Sequence, residues 1–421
     1  MSRSLILASL LCLLAAPTAL RAGVLIVDGD GSGDFLDVQS AVNASADGDI
    51  ILVRDPQVAA FTVGSRSLTI VGMPSGTDDP TVLGELIIAG LTAGQQVVLS
   101  HLQLQGTEGP PGYTGGVALT TVDNEGLVAL WHCSVTGGPG GLAGGQFGLP
   151  AQGGAAIVAY NSAGLTLSGC AVRGGPGSST GTLATDGGAG MFASSTNVSL
   201  VQSTIEGGPG GGASAPPATG GAGGSGLDIE LGTAFVGALD VVLRGGDGGA
   251  GSAQWGDGGH GLVLDAFSLV RVRGGAPQGG SGSAAPGSPA ADGADGQAVL
   301  STGGSLKLLP EPPPSFTGLG AFALPGDLLS LGVVTPGGDD GPRVLLASLQ
   351  AAATYIAGQQ SPLLVQLPWI ASVVLPQAAL TVEAPPLPAG LEGVVVLLQA
   401  WAQGSGLSNA QILVLLAQSP S

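Results

Sequence analysis

From residue 97 onward the chain repeats a short phrase in which apolar residues alternate with small or polar ones. Its copies read VALWHCSVTGG, LTLSGCAVRGG, VSLVQSTIEGG and FVGALDVVLRGG, each ending in a glycine pair. Counted back from that pair, the residues fall into four columns. Val128, Leu165, Val198 and Val236 make the first, and Leu130, Leu167, Leu200 and Ala238 the second. Cys133, Cys170, Ser203 and Val241 make the third, and Val135, Val172, Ile205 and Leu243 the fourth. An earlier copy (Val97, Leu99, Leu102, Leu104) extends the columns upward, and a partial one through Phe267, Val270 and Val272 extends them downward. Alternation within a copy is the two-residue period of a strand. Columns that recur every 29 to 38 residues predict that successive turns of chain stack and bury like on like. The expected fold class is all-β: a right-handed parallel β-helix over residues 23–309, with these columns inside.

A second strand precedes each phrase: GVALTTV, AAIVAYN, AGMFASS, SGLDIEL and HGLVLDA. Aligned, these put Leu119, Ile157, Met191, Ile229 and Leu264 inside. One outward column then holds Thr120, Val158, Phe192, Asp228 and Val263, and the next Val122, Tyr160, Ser194, Glu230 and Asp265. Between the rungs lie glycine-rich inserts such as GGPGGGASAPPATGGAGG, all leaving the same corner and so projecting from one side. Several carry glycine at every third residue, as at Gly220, Gly223 and Gly226, and at Gly245, Gly248 and Gly251. Three residues per turn is the polyproline II period, and glycine at every third position lets such chains pack closely. The inserts read either as a bundle of extended chains beside the stack or as flexible loops.

Residues 24–55 read as a strand, a Gly/Asp turn, a short amphipathic helix near Phe35–Ala44 and a buried strand at Ile50–Val53. Asp34 stands where it can cap the helix. Asp28, Asp30, Asp34 and Asp37 read as turn and cap residues, with calcium binding the alternative. The segment VDGDGSGDFLDVQSAVNASADGDIILV resembles the N-terminal cap of pectin-lyase-like right-handed parallel β-helix proteins, pectinesterases among them, and LTIVG resembles their first full rung. That resemblance implies the fold, and with it a carbohydrate-active protein as one reading of function. The pectinesterase motifs do not follow: neither QDT nor DF[IV]FG occurs after the cap, and the only rung arginines are Arg173, Arg244, Arg271 and Arg273. Catalysis carried over from the fold would rest on analogy alone.

A proline-rich linker, residues 310–315, separates the stack from a glycine-poorer region with about seven short strands, which predicts a β-sandwich over 316–421. The stretch GLEGVVVLLQAWAQGSGLSNAQILVLL resembles the end of C-terminal modules of large secreted bacterial proteins.

Composition adds compartment and charge. Residues 1–22 have a basic start, a short apolar run and a small residue at a cut site, the pattern of a signal peptide. No later segment reaches 18 uninterrupted apolar residues, so no transmembrane segment is expected after cleavage, and the mature chain is expected to be secreted or held in the cell envelope. Twenty-nine acidic residues stand against ten basic ones, a net charge of −19. Loss of Arg3 and Arg21 with the signal leaves 8 against 29, or −21. Such a surface repels nucleic acid and anionic lipid, which are held by arginine and lysine.

Cys133 lies directly under Cys170, about 4.8 Å away at strand spacing, and the two are read as a disulfide or as a pair of buried thiols. His101 and His132 stack in the same way and read as structural. Asp228 and Glu230 lie on one face about 6.6 Å apart, with Asp265 on the next rung and Tyr160 and Phe192 beside them. Such a group suits glycoside hydrolysis or calcium binding, or is a solvated face with two aromatic rings; no other cofactor is expected. The function expected is a non-catalytic surface, adhesion or binding scaffold whose partner is a polysaccharide or an envelope component. The alternative is a carbohydrate-binding protein or a carbohydrate-active enzyme, a polysaccharide lyase or glycoside hydrolase.

Overall fold

The computed structural model describes residues 23–74, 78–142, 151–179, 183–215, 218–230, 236–284 and 291–309, and separate strands between Ser315 and Leu415. Residues 1–22, expected to be a signal peptide, and residues 310–314 of the linker lie outside the described residues, while Ser315, expected to end the linker, opens a strand instead. The chain is nearly all β, with one α-helix, Val38–Ala44, among the described residues.

Up to Leu309 the strands form three parallel ladders visited in the same order on every repeat. The first contains Leu86–Ala89, the opening half of Leu119–Trp131 and of Ile157–Ser168, then Met191–Ser194, Leu227–Glu230, Leu262–Leu264 and Val299–Ser301. The second contains Val24–Val27, Asp49–Val53, Leu68–Gly72, Gln96–Ser100, the closing halves of the two long strands, then Val198–Val201, Val236–Leu239, Leu269–Arg273 and Ser305–Leu309. The third runs from Gln57–Ala59 through Thr81–Leu83, Gln103–Gln105, Ser134–Thr136, Ala171–Arg173 and Thr204–Glu206 to Val242–Arg244. These large parallel sheets fit a parallel β-helix.

The register reproduces the predicted columns residue for residue: Val97, Val128, Leu165, Val198, Val236 and Val270 pair in turn, as do Leu104, Val135, Val172, Ile205 and Leu243. Leu130, Leu167, Leu200, Val135, Val172 and Ile205 are buried in one continuous core. Ile229 and Leu264 lie inside as expected, under Ala159 and Ala193, and Leu227 and Leu262 are buried beside them under Leu119, Ile157 and Met191. One detail differs. Phe267 belongs to no column: it sits 81% exposed in the turn before Leu269.

The corners are equally regular. Between the first and second ladders stand Gly90, Asp123, Asn161 and Ser195; between the second and third stand His101, His132, Gly169, Gln202, Asp240 and Gly274, all with positive φ. The non-glycine members have φ between +44° and +53°, a left-handed turn that asparagine, aspartate and histidine tolerate better than most residues.

From Asp49–Val53 to Val198–Val201 the second ladder is buried on both faces: Val98, Trp131 and Val201 point away from the core yet are fully covered. The strand Ala351–Thr354 lies against the two long strands. At the N-terminal end the helix covers the first rung with Val38, Ala41 and Val42. Its cap is Asp37, whose Oδ1 accepts from the Ser40 N–H at 2.8 Å. Asp34 does not cap; its Oδ2 accepts from the Ile26 N–H at 2.9 Å and ties the turn to the first strand.

All seven strands expected after the linker are present in sheets that are antiparallel, except where Phe322–Ala323 joins Gly406–Leu415 in parallel. One sheet joins Ser315–Thr317, Leu328–Val334 and Ala379–Glu383; another includes Gly406–Leu415, Val395–Ala402, Arg343–Ser348 and Ala371–Leu375; Ala351–Thr354 pairs with Leu363–Val365.

Candidate functional site

The first ladder places Asp228 between Phe192 and Val263, with Glu230 next to Ser194 and two positions along from Asp228. Tyr160 pairs with Ser194, and its ring lies 5.4 Å from that of Phe192 at a tilt of 53°. Asp228, Glu230, Tyr160 and Phe192 therefore share one outward face, as the alignment predicted. Asp228 is partly buried, its Oδ1 has no hydrogen-bond partner, and burial, then the charge of Glu230, raises its pKa to about 6. Asp265 follows the last rung residue: its N–H donates to the Ile229 carbonyl at 3.2 Å, the ladder bond that sets it beside Glu230, while its Oδ1 accepts from the Phe267 N–H at 3.2 Å and from Ser268 Oγ. The rung ends at Leu264, and Asp265 closes the turn that follows it.

Cys133 and Cys170 are both buried and stand as free thiols. Burial pushes the Cys133 thiol well above its ordinary pKa, so the pair behaves as two small apolar residues in the stack. The His101 and His132 rings stack at 5.4 Å, and burial, then His132, lowers the pKa of His101. Asp28 and Asp30 bind their own turn: Asp28 Oδ2 accepts from Ser32 Oγ and Asp30 Oδ1 from the Ser32 N–H, both at 2.8 Å. Among the described residues no three His, Cys, Asp or Glu side chains come together as a metal site, and no helix is long and apolar enough to cross a membrane.

The inserts make a second built surface. They are hydrogen-bonded throughout their described length, in two layers. Chains leaving the third ladder form one layer, chains returning to the first ladder the other. A ladder of glycine amides joins the layers: Gly138 donates to Gly116, Gly154 to Gly138, Gly175 to Gly154 and so on through Gly188, Gly208, Gly224, Gly246, Gly259 and Gly280, each bond 2.8 Å. Gly296 closes it, donating to Gly280 at 2.9 Å. Within the outgoing layer the bonds recur every third residue, Gly207 donating to Arg244 O and Gly210 to Asp247 O, both at 2.9 Å. This is the polyproline II period.

Two of every three residues face the other layer, and nearly all of these are glycine. A Cβ at Gly208 would fall on the Gly175 carbonyl oxygen, and one at Gly246 on that of Gly208. The core of this bundle is therefore mostly backbone, with Ala151, Ser178, Ala213 and Ala218 among its few buried side chains. Each third residue faces outward. The returning layer shows Thr219, Gln254 and Ala291 in one column and Gln152, Asp186, Ala222, Asp257 and Ala294 in another. Some of its acids do structural work: Asp186 Oδ1 accepts from the Ala222 N–H at 2.8 Å and Asp257 Oδ1 from that of Ala294 at 2.7 Å. Each bond satisfies a donor that the glycine ladder leaves over. Glycine spacing is the one sequence signal of the bundle; the aspartate bonds have none, because they follow register rather than spacing.

Comparison with protein-family models, with curated proteins and with solved structures finds no match to this chain.

Proposed function

We propose that this chain is a non-catalytic, exported scaffold: a right-handed parallel β-helix of the pectin-lyase-like kind, with a C-terminal sandwich, that presents its insert bundle to a polysaccharide or another envelope component. The unbroken glycine ladder from Gly116 to Gly296 carries this reading. Hydrogen-bonded chains with a core mostly of glycine backbone hold their outward residues in a flat, regular array, and a rigid array loses little conformational entropy on binding. The array is polar, its exposed columns carrying Thr219, Gln254, Gln152, Asp186 and Asp257. The acidic balance turns nucleic acid away.

A second reading has one specific observation behind it. Asp228, held near pKa 6 beside Tyr160 and Phe192 with Glu230 along the same face, has the protonation and surroundings of a general acid. A glycan array with a polysaccharide-degradation screen separates the two. The scaffold reading expects binding without turnover, abolished in Thr219→Lys/Gln254→Lys on the returning layer and kept in Asp228→Asn/Glu230→Gln. Turnover that disappears in the carboxylate variant would establish the enzyme reading. Absence of any envelope or polysaccharide ligand would overturn both.

A further inference from the structure

The outgoing layer and the third ladder are continuous, because each outgoing chain extends a third-ladder strand. Together they make one broad face, six rows deep from the row of Gln105 to the row of Gln278. At about 4.8 Å per row, that is about 29 Å along the stack. From the Ser134 column outward to that of Leu142 the face is about 25 Å wide, at 3.3 Å per strand residue and 3.1 Å per polyproline II residue. The area, about 700 Å², approaches the ~800 Å² per partner of a stable protein interface.

Charge distinguishes this face from the rest of the molecule. The chain carries −19, so two copies repel wherever their acids meet. Here Arg173 and Arg244 stand against Glu108, Glu206 and Asp247, a balance of −1. The charges also alternate along one column: Arg173 pairs in register with Glu206, and Glu206 with Arg244. Arg244 is bound to Asp247 at 3.0 Å. The rows of Arg173 and Glu206 are the third and fourth of the six. A two-fold axis lying between them, parallel to the strands, sets Arg173 of one copy over Glu206 of the other, and the reverse. The same axis sets Pro176 over Pro209 and the Gln105 row over the Gln278 row. It is also the centre of the face, so all six rows overlap.

From this coincidence we infer that a second copy of the chain docks here, face to face and antiparallel, in an isologous dimer. The dimer leaves both returning layers outward, so it goes beyond the scaffold reading and does not depend on it. Sedimentation equilibrium of the full chain tests it. The wild type is expected to dimerise. Arg173→Glu and Glu206→Arg each turn two attractive pairs into two repulsive ones, and each should weaken the dimer by at least about tenfold. Combined, the two changes restore the pairs with signs exchanged and should restore the dimer. Both side chains lie on the surface, and circular dichroism confirms that each variant is folded. A wild-type monomer at all concentrations, a dimer indifferent to either reversal, or a double variant no better than the singles would overturn the inference.

Discussion

Single atoms decide the insert bundle. At Gly208 the backbone of the next chain in its own layer, Gly174 and Gly175, occupies the space a Cβ needs, so Gly208→Ala must push the two chains apart and is expected to cost about 2 kcal/mol or more. Ser225→Ala, on an outward position, should change stability by no more than about 0.5 kcal/mol; urea midpoints measure both. In the main core Leu167 is fully buried, and Leu167→Asp should yield no folded protein, since its charge would have no partner in the stack; a native circular dichroism spectrum for this variant would contradict the packing. Asp228 gives a pH signature of definite sign. Its pKa rises from 3.8 to about 6 on folding, so between these values the native state binds more protons than the unfolded one. Stability must then fall as pH rises through that window. With solvent screening at this partly exposed group, the loss is at most about 2 kcal/mol. Thermal melts at pH 4 and pH 7 should show the loss in wild type and not in Asp228→Asn.

Elements differ in how legible they are, for a physical reason. The strand columns can be read because burial imposes apolar residues at fixed offsets, as with Val128, Leu165 and Val198. The outward face of Asp228, Tyr160 and Phe192 followed from the same alignment. Phe267 was misread because it was placed by apolarity alone. Asp34 and Asp37 are equally placed to cap by composition, and only backbone geometry selects Asp37. Hydrophobicity is silent on the inserts, where packing is between backbones. The corners carry a weaker signal in their left-handed residues. Gln202, at φ +45°, should tolerate glycine without loss, whereas Gln202→Val should cost about 1–2 kcal/mol in a chemical-denaturation series.

On the scale of the whole molecule, two kinds of stack run side by side. One is cored by apolar side chains from Val27 to Val272, the other by glycine backbone from Gly116 to Gly296. The proposed function depends on the second being as fixed as the first. Amide hydrogen exchange of the full chain, resolved to the insert peptides, tests this most directly. An ordered bundle predicts that the ladder amides of Gly138, Gly175, Gly208 and Gly246 exchange slowly, over minutes to hours, together with the strand amides of Leu130 and Leu167. Exchange of those four glycines at the rate of an unstructured peptide, while the strand amides stay protected, would contradict it.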